Sequence, residues 1–195
     1  MEIKEKVFKP RADILIQLGD QLIKNENIAL LELVKNSYDA NATLVNLEFY
    51  DIDKPLIGSI NIQDDGDGMD IETVTNVWME PGNTHKKELL TQDKRPKRLP
   101  IGEKGIGRFG AYKIAQKIKL ITRAKNQKEI IVNIDWSTFE SQKYLQDVKV
   151  KIEERVPEIF VNNKTGTRIE LTCLKKAWDP KDYKKVIDGI DSLMS

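Results

Sequence analysis

The sequence predicts an α/β layered domain with a mainly antiparallel or mixed sheet. Three observations carry that expectation. Two helical patterns open the chain, a pair of alternating strands follows, and the second half is dominated by β-rich segments. No internal repeat, low-complexity tract or linker divides the 195 residues, so one domain is expected over 1–195.

The elements follow in order. In "RADILIQLGDQLIKN", Ile14, Leu15, Leu18 and Leu22 recur at helical spacing, and Asn25–Glu26 marks a break before a second helix from Asn27 to Ala40. "TLVNLEFYD" and "LIGSINIQD" alternate apolar with polar residues around the turn-forming "DKP", which reads as a hairpin. A short helix is expected from Ile71 to Met79. Residues 80–104, rich in proline and cations, show no period and read as a functional lid. Another helix is expected from Ile106 to Gln116, then strands in "KIKLITRAK", "EIIVNIDW", "VKVKIEERV" and "GTRIELTCL". A final helix in "DPKDYKKVIDGIDSLMS" has Asp179 as its candidate cap.

Composition narrows the function classes. Charged residues make up 32% of the chain but cancel to a net +1, so the bulk balance points to neither nucleic acid nor membrane. The single Cys173 excludes an internal disulfide framework, and one cysteine with one histidine, His85, leaves no usual zinc set. No run approaches the ~20 apolar residues of a membrane span, and "MEIKEKVFKP" is too charged for a signal peptide core. A cytoplasmic protein is the expectation.

Three segments carry chemistry. In "ELVKNSYDA", Glu32, Asn36 and Asp39 fall within roughly 60° of one another on a helix, with Leu30, Leu33, Val34 and Tyr38 on the other side. Such a face is either solvated or suited to a magnesium nucleotide, Asn36 offering a hard amide oxygen and Glu32 polarising a water. In "NIQDDGDGM" a strand runs into Asp64, Asp65, Gly66, Asp67 and Gly68; this is a rigid mount for a carboxylate or a plain glycine turn. A calcium loop is disfavoured, because Thr75 stands where a glutamate belongs and a strand precedes the acids. "IGEKGIGRFG" reads as a hinge or as a phosphate cradle of backbone amides, but its spacing is not that of a P-loop.

Taken together, "ELVKNSYDA", "DDGDGM", "GEKGIGRFG" and the late "GTRIEL" resemble, in order and spacing, the GHKL ATPase superfamily. That family includes the ATP-binding part of DNA gyrase, the ninety-kilodalton heat-shock chaperones, histidine kinases, MutL and MORC proteins. The resemblance runs from the first helix to about Leu174 and implies a Bergerat fold: a two-layer α/β sandwich, its sheet mixed but mostly antiparallel, with helices on one face and an ATP lid over about 80–110. It implies ATP with Mg2+ as the ligands. Glu32 becomes the water-activating carboxylate and Asn36 the metal ligand, with Asp39 on the same cleft face. Asp64 meets the adenine amino group, Gly66 and Gly68 let the base approach, Met69 packs near it, and Asp65 assists through solvent or backbone contacts. Gly102, Lys104, Gly105, Ile106, Gly107 and Arg108 belong to the segment that wraps the phosphates, with Lys86 a further candidate. Thr167 joins the adenine side through Asp64. Part of the upstream cation run "HKK" and "DKRPKR" solubilises the loop.

The opening "LGDQLIKNENIALLELVKNSYDANAT" particularly resembles bacterial and MORC-like members with larger, multidomain chains. The resemblance therefore implies slow ATP hydrolysis driving lid closure, conformational change or dimerisation. The chain is expected to be the N-terminal part of a longer protein, with a following transducer-like domain or a second copy as partner, nucleic acid engaged only through other domains, and no membrane. Two alternatives stand beside the ATPase: a nucleotide-gated binding module without significant hydrolysis, and a histidine-kinase-type catalytic domain. The latter is weakened because His85 lies in the expected lid.

Overall fold

The computed structural model describes residues 6–81 and 107–194. Helices α1 (Ile14–Leu22) and α2 (Glu26–Asp39) open the domain, and Asn25 caps α2 by accepting the Ile28 N–H at 2.9 Å. Strands β1 (Val45–Tyr50) and β2 (Ser59–Asp64) form the expected hairpin, with Val45 opposite Asp64. One helical turn, α3 (Ile71–Thr73), passes into a π-helical turn at Val74–Trp78. After the 3-10 turn Gly107–Gly110 come α4 (Ala111–Ile114), β3 (Ala115–Arg123), β4 (Glu129–Asp135) and α5 (Trp136–Ser141). The chain then runs through β5 (Lys151–Arg155), β6 (Gly166–Leu174) and α6 (Pro180–Met194).

The strands form one sheet in the order β1-β2-β6-β3-β4-β5, and every described pairing is antiparallel. Register sorts the faces. Ile60, Ile62, Leu171 and Ile118 look toward the helices and share a core with Leu15, Leu30, Leu33, Trp136 and Val186. On the alternate positions Arg168 donates to Gln63 and Glu170, both at 2.9 Å, so that face is tied by polar side chains. The domain is an α+β two-layer sandwich, as expected.

Several boundaries differ from the expectation. The helix expected to reach Gln116 ends at Ile114, because Ala115 pairs with Leu174 and the Lys175 N–H donates to the Ile114 carbonyl at 2.9 Å. Trp136 opens a helix instead of ending a strand: Asp135 accepts from the Ser137 N–H and hydroxyl, and the indole is buried against Phe139. Val148 and Val150 precede β5 rather than joining it. Tyr38, expected on the apolar side of α2, is 40% exposed, and the buried position beside it belongs to Ser37. Asp179 does cap α6, accepting from the Lys181 and Asp182 N–H groups.

Candidate active site

The sheet delivers Asp64 to the mouth of the helix layer at the end of β2, where it is 6% exposed. Three donors hold its carboxylate. The Ser37 hydroxyl, from α2, donates to Oδ2 at 2.7 Å, while the Gly66 and Thr167 N–H groups donate to Oδ1 at 3.0 Å each. None of these partners is a cation. Burial therefore raises the Asp64 pKa, against the pull of Ser37 and the two amides and with a further push from neighbouring Asp65. Counting donors among the described residues, with one on Oδ2 and two on Oδ1, one lone-pair direction on Oδ2 is left over.

The glycines around Asp64 have a packing reason of their own. Gly68 adopts φ +66 with its α-carbon against the Arg123 carbonyl, and Gly166 adopts φ +145 against the Asp64 carbonyl. A methyl group at Gly66 would stand 2.6 Å from the Ala40 carbonyl oxygen. Asp65 turns away and closes the start of β1, accepting from the Thr43 hydroxyl and from the Thr43 and Leu44 N–H groups. The Thr43 hydroxyl foremost holds it below the usual carboxylate range. Met69 packs on the cluster of Val74, Leu120, Ile130 and Val132, and its N–H donates to the Thr122 hydroxyl at 2.9 Å.

The second group of residues is carried by α2. Glu32, Asn36 and Asp39 lie one turn and then a little under one turn apart along one face. Gly107 packs directly on Glu32: a methyl group there would stand 3.3 Å from the Glu32 Cβ and Oε2. Lys35 reaches back to donate to Glu32 Oε1 at 2.6 Å, both side chains about three-quarters buried. The structure thus brings together Asp64, Gly66, Gly68, Met69 and Thr167 at one end, and Glu32 and Gly107 at the other, with Asn36 on the helix between them. Lys86, Gly102, Lys104, Gly105 and Ile106 lie outside the described residues, as does the side chain of Arg108.

Sequence reasoning missed Ser37, Lys35 and Thr122. Ser37 becomes readable only once the register of α2 is known: it is the small hydroxyl-bearing residue on the buried stripe, one position after Asn36. Among the described residues no three His, Cys, Asp or Glu side chains gather into a metal cage. An oxygen donor set of a single amide fits a hard cation carried in by a polyphosphate, which supplies most of its ligands together with water.

A two-layer sandwich whose helix layer and strand ends enclose a glycine-framed carboxylate opposite a Glu-x-x-x-Asn helix is a nucleotide-binding architecture of the GHKL class. Residues 23–167 match the family described as histidine kinase-, DNA gyrase B-, and HSP90-like ATPase, and the chain belongs to it. Similar curated proteins include the chaperone protein HtpG of Francisella tularensis subsp. holarctica, 28% identical over 97% of this chain and 31% of its own length. HtpG of Borreliella burgdorferi is 29% identical over 79% of this chain and 27% of its own. HtpG of Buchnera aphidicola is 24% identical over 86% and 30%. The chain spans about a third of the length of these relatives. Among the described residues no helix is long and apolar enough to cross a membrane.

Proposed function

We propose that the cleft binds Mg-ATP, with adenine at Asp64 and the phosphates toward Gly107, and hydrolyses it slowly as the N-terminal engine of a larger protein. The observation that carries this reading is the Asp64 carboxylate, buried with no cation partner among the described residues and pinned by three donors from them that leave one acceptor direction over. An exocyclic amine is the natural donor for it. Thr167 fixes the carboxylate through its backbone, and Gly66, Gly68 and Met69 shape the slot. Asn36 would hold the magnesium ion, whose charge offsets that of the phosphates. Glu32, one turn earlier and against Gly107, accepts the proton of the attacking water. Gly102, Lys104, Gly105, Ile106, Arg108 and Lys86 complete the phosphate end in this reading, and closure of the segment around 80–110 accompanies binding.

The larger protein is a chaperone-like or related GHKL machine in which nucleotide controls conformation or pairing of two copies. Replacing Glu32 with alanine tests the chemistry: ATP binding persists while phosphate release falls about 10²-fold or more, the scale of a general base. An unchanged rate would remove Glu32 from that role. The Lys35–Glu32 ion pair favours a second reading, a nucleotide-gated binding module whose base is held by an ammonium group. No phosphate release from the wild-type chain, even joined to its partner domain, would select it.

A further inference from the structure

At the end of β6 a lysine amine lies on the face of an aromatic ring. Lys175 follows Leu174 directly, and its N–H donates to the Ile114 carbonyl at 2.9 Å, which fixes its backbone beside α4. Its Nζ stands 2.8 Å from the centroid of the Tyr112 ring. The carboxylates of this neighbourhood are already engaged: Glu140, on α5, accepts the Tyr112 hydroxyl at 3.2 Å, and Asp20, on α1, is paired with Lys113 at 2.9 Å. Among the described residues Lys175 has no ion pair of its own. A ring face attracts an ammonium only modestly where water still reaches it. Against that pull, the ring keeps water from one side of the amine, and Lys113 adds a like charge. Burial foremost brings the Lys175 pKa down to about 8, with Glu140 and Asp20 opposing the fall and Lys113 assisting it. The residue is otherwise exposed, so a reagent can reach the amine from the side away from the ring.

We propose that Lys175 is an acylation site, made by the face of Tyr112, that takes an acyl group directly from activated donors such as acyl phosphates and thioesters. The neutral amine is the nucleophile. Its lone pair attacks the acyl carbon and a C–N bond forms. The bond from that carbon to the phosphate oxygen or the thioester sulfur breaks, the leaving group departs with the electron pair, and the surplus proton on nitrogen passes to water. At pH 7 a lysine titrating at about 8 is roughly one-tenth neutral, whereas an ordinary one at about 10.4 is neutral in under a thousandth of its molecules. A weaker base is also a weaker nucleophile, and for thiols that dependence takes back about half of the gain on a logarithmic scale. Applied to the amine, it leaves Lys175 an advantage of about tenfold. The site is independent of the nucleotide reading and uses none of its residues.

The test incubates the whole chain at pH 7 with acetyl phosphate and, separately, with acetyl-coenzyme A, and reads each lysine by peptide mass spectrometry over time. Lys175 should be acetylated about ten times faster than the ion-paired Lys113 and Lys176. That ratio with either donor supports the proposal, and the arm that shows it identifies the source. The Lys175 rate should also level off above about pH 8, where the rates of its neighbours still climb. Tyr112→Phe keeps the ring and should keep the advantage, while Tyr112→Ala uncovers the amine and should bring Lys175 down to the rate of its neighbours. A wild-type Lys175 that reacts no faster than Lys113 and Lys176 with both donors overturns the proposal, and this outcome needs no variant to fold. An advantage that survives in a folded Tyr112→Ala overturns it too, because the ring would then not make the site.

Discussion

Two carboxylates are buried among the described residues, and they are treated in opposite ways. Glu129, at the start of β4, is wholly buried and accepts from the Arg155 guanidinium at 2.7 and 2.8 Å. It also takes the N–H groups of Glu158, Ile159 and Phe160. Asp64 is almost as buried but receives one hydroxyl and two amides. The first carboxylate is saturated and neutralised, and its work is to clamp the 156–160 turn onto the sheet. Among the described residues the second has no charge partner and one donor fewer than its lone pairs could take. In the function proposed above, that shortfall is what the ligand's donor fills.

The largest effect should come from breaking the saturated one. Glu129→Ala strands the Arg155 guanidinium and three amides, and removing one member of a buried pair costs about 3–5 kcal/mol. For a domain of this size that lowers Tm by roughly 10 °C. Thermal unfolding measures it, and a loss under about 1 kcal/mol would show that the turn is held by other contacts, such as the Arg123 guanidinium on the Phe160 carbonyl at 2.6 Å.

Asp64→Asn should do the reverse. The asparagine oxygen can take both amides and its NH2 can meet the Ser37 oxygen, so stability should change by about 1 kcal/mol or less. Affinity for ATP should fall roughly ten- to a hundredfold, because a charged acceptor for the amine is gone. Calorimetric titration alongside denaturant unfolding separates the two. A variant that loses stability and binding in step would make Asp64 a second structural clamp and abolish the contrast.

The contrast also marks what the sequence could reveal. Asp64 was legible because "NIQDDGDGM" places an acid at the end of an alternating strand beside glycines, a pattern contained within nine residues. The α2 face was legible for the same local reason, as were the hairpin and the Asp179 cap. Glu129 and Thr122 were not, since their partners lie 26–31 and 44–53 residues away and depend on which strands become neighbours. The end of the helix at Ile114 was hidden likewise: Ile114 and Ala115 suit either a helix or a strand, and pairing with Leu174 decides it. Trp136 was misplaced although "DWS" carries a cap in plain view, because its apolar bulk extends the run of β4.

The smallest expected effect is the most direct test of opposite design, and it lies in the pH dependence of stability. Burial raises Asp64 above the ordinary aspartate range, so the folded state keeps its proton to higher pH than the unfolded chain does. Its contribution is therefore greatest at acid pH and declines as pH rises through the raised value. For Glu129, burial is outweighed by the Phe160 N–H, Arg155 and the Ile159 and Glu158 N–H groups, and its pKa settles below the ordinary glutamate value. Here the unfolded chain protonates first, so the contribution is intact above that ordinary value and is lost as pH falls through the depressed one. Urea unfolding between about pH 3 and pH 7 should accordingly show Asp64→Asn gaining on wild type as pH rises. Glu129→Gln should instead lose its disadvantage as pH falls. Parallel curves for the two variants would mean that both carboxylates are equally satisfied, and the shortfall at Asp64 would no longer mark a site.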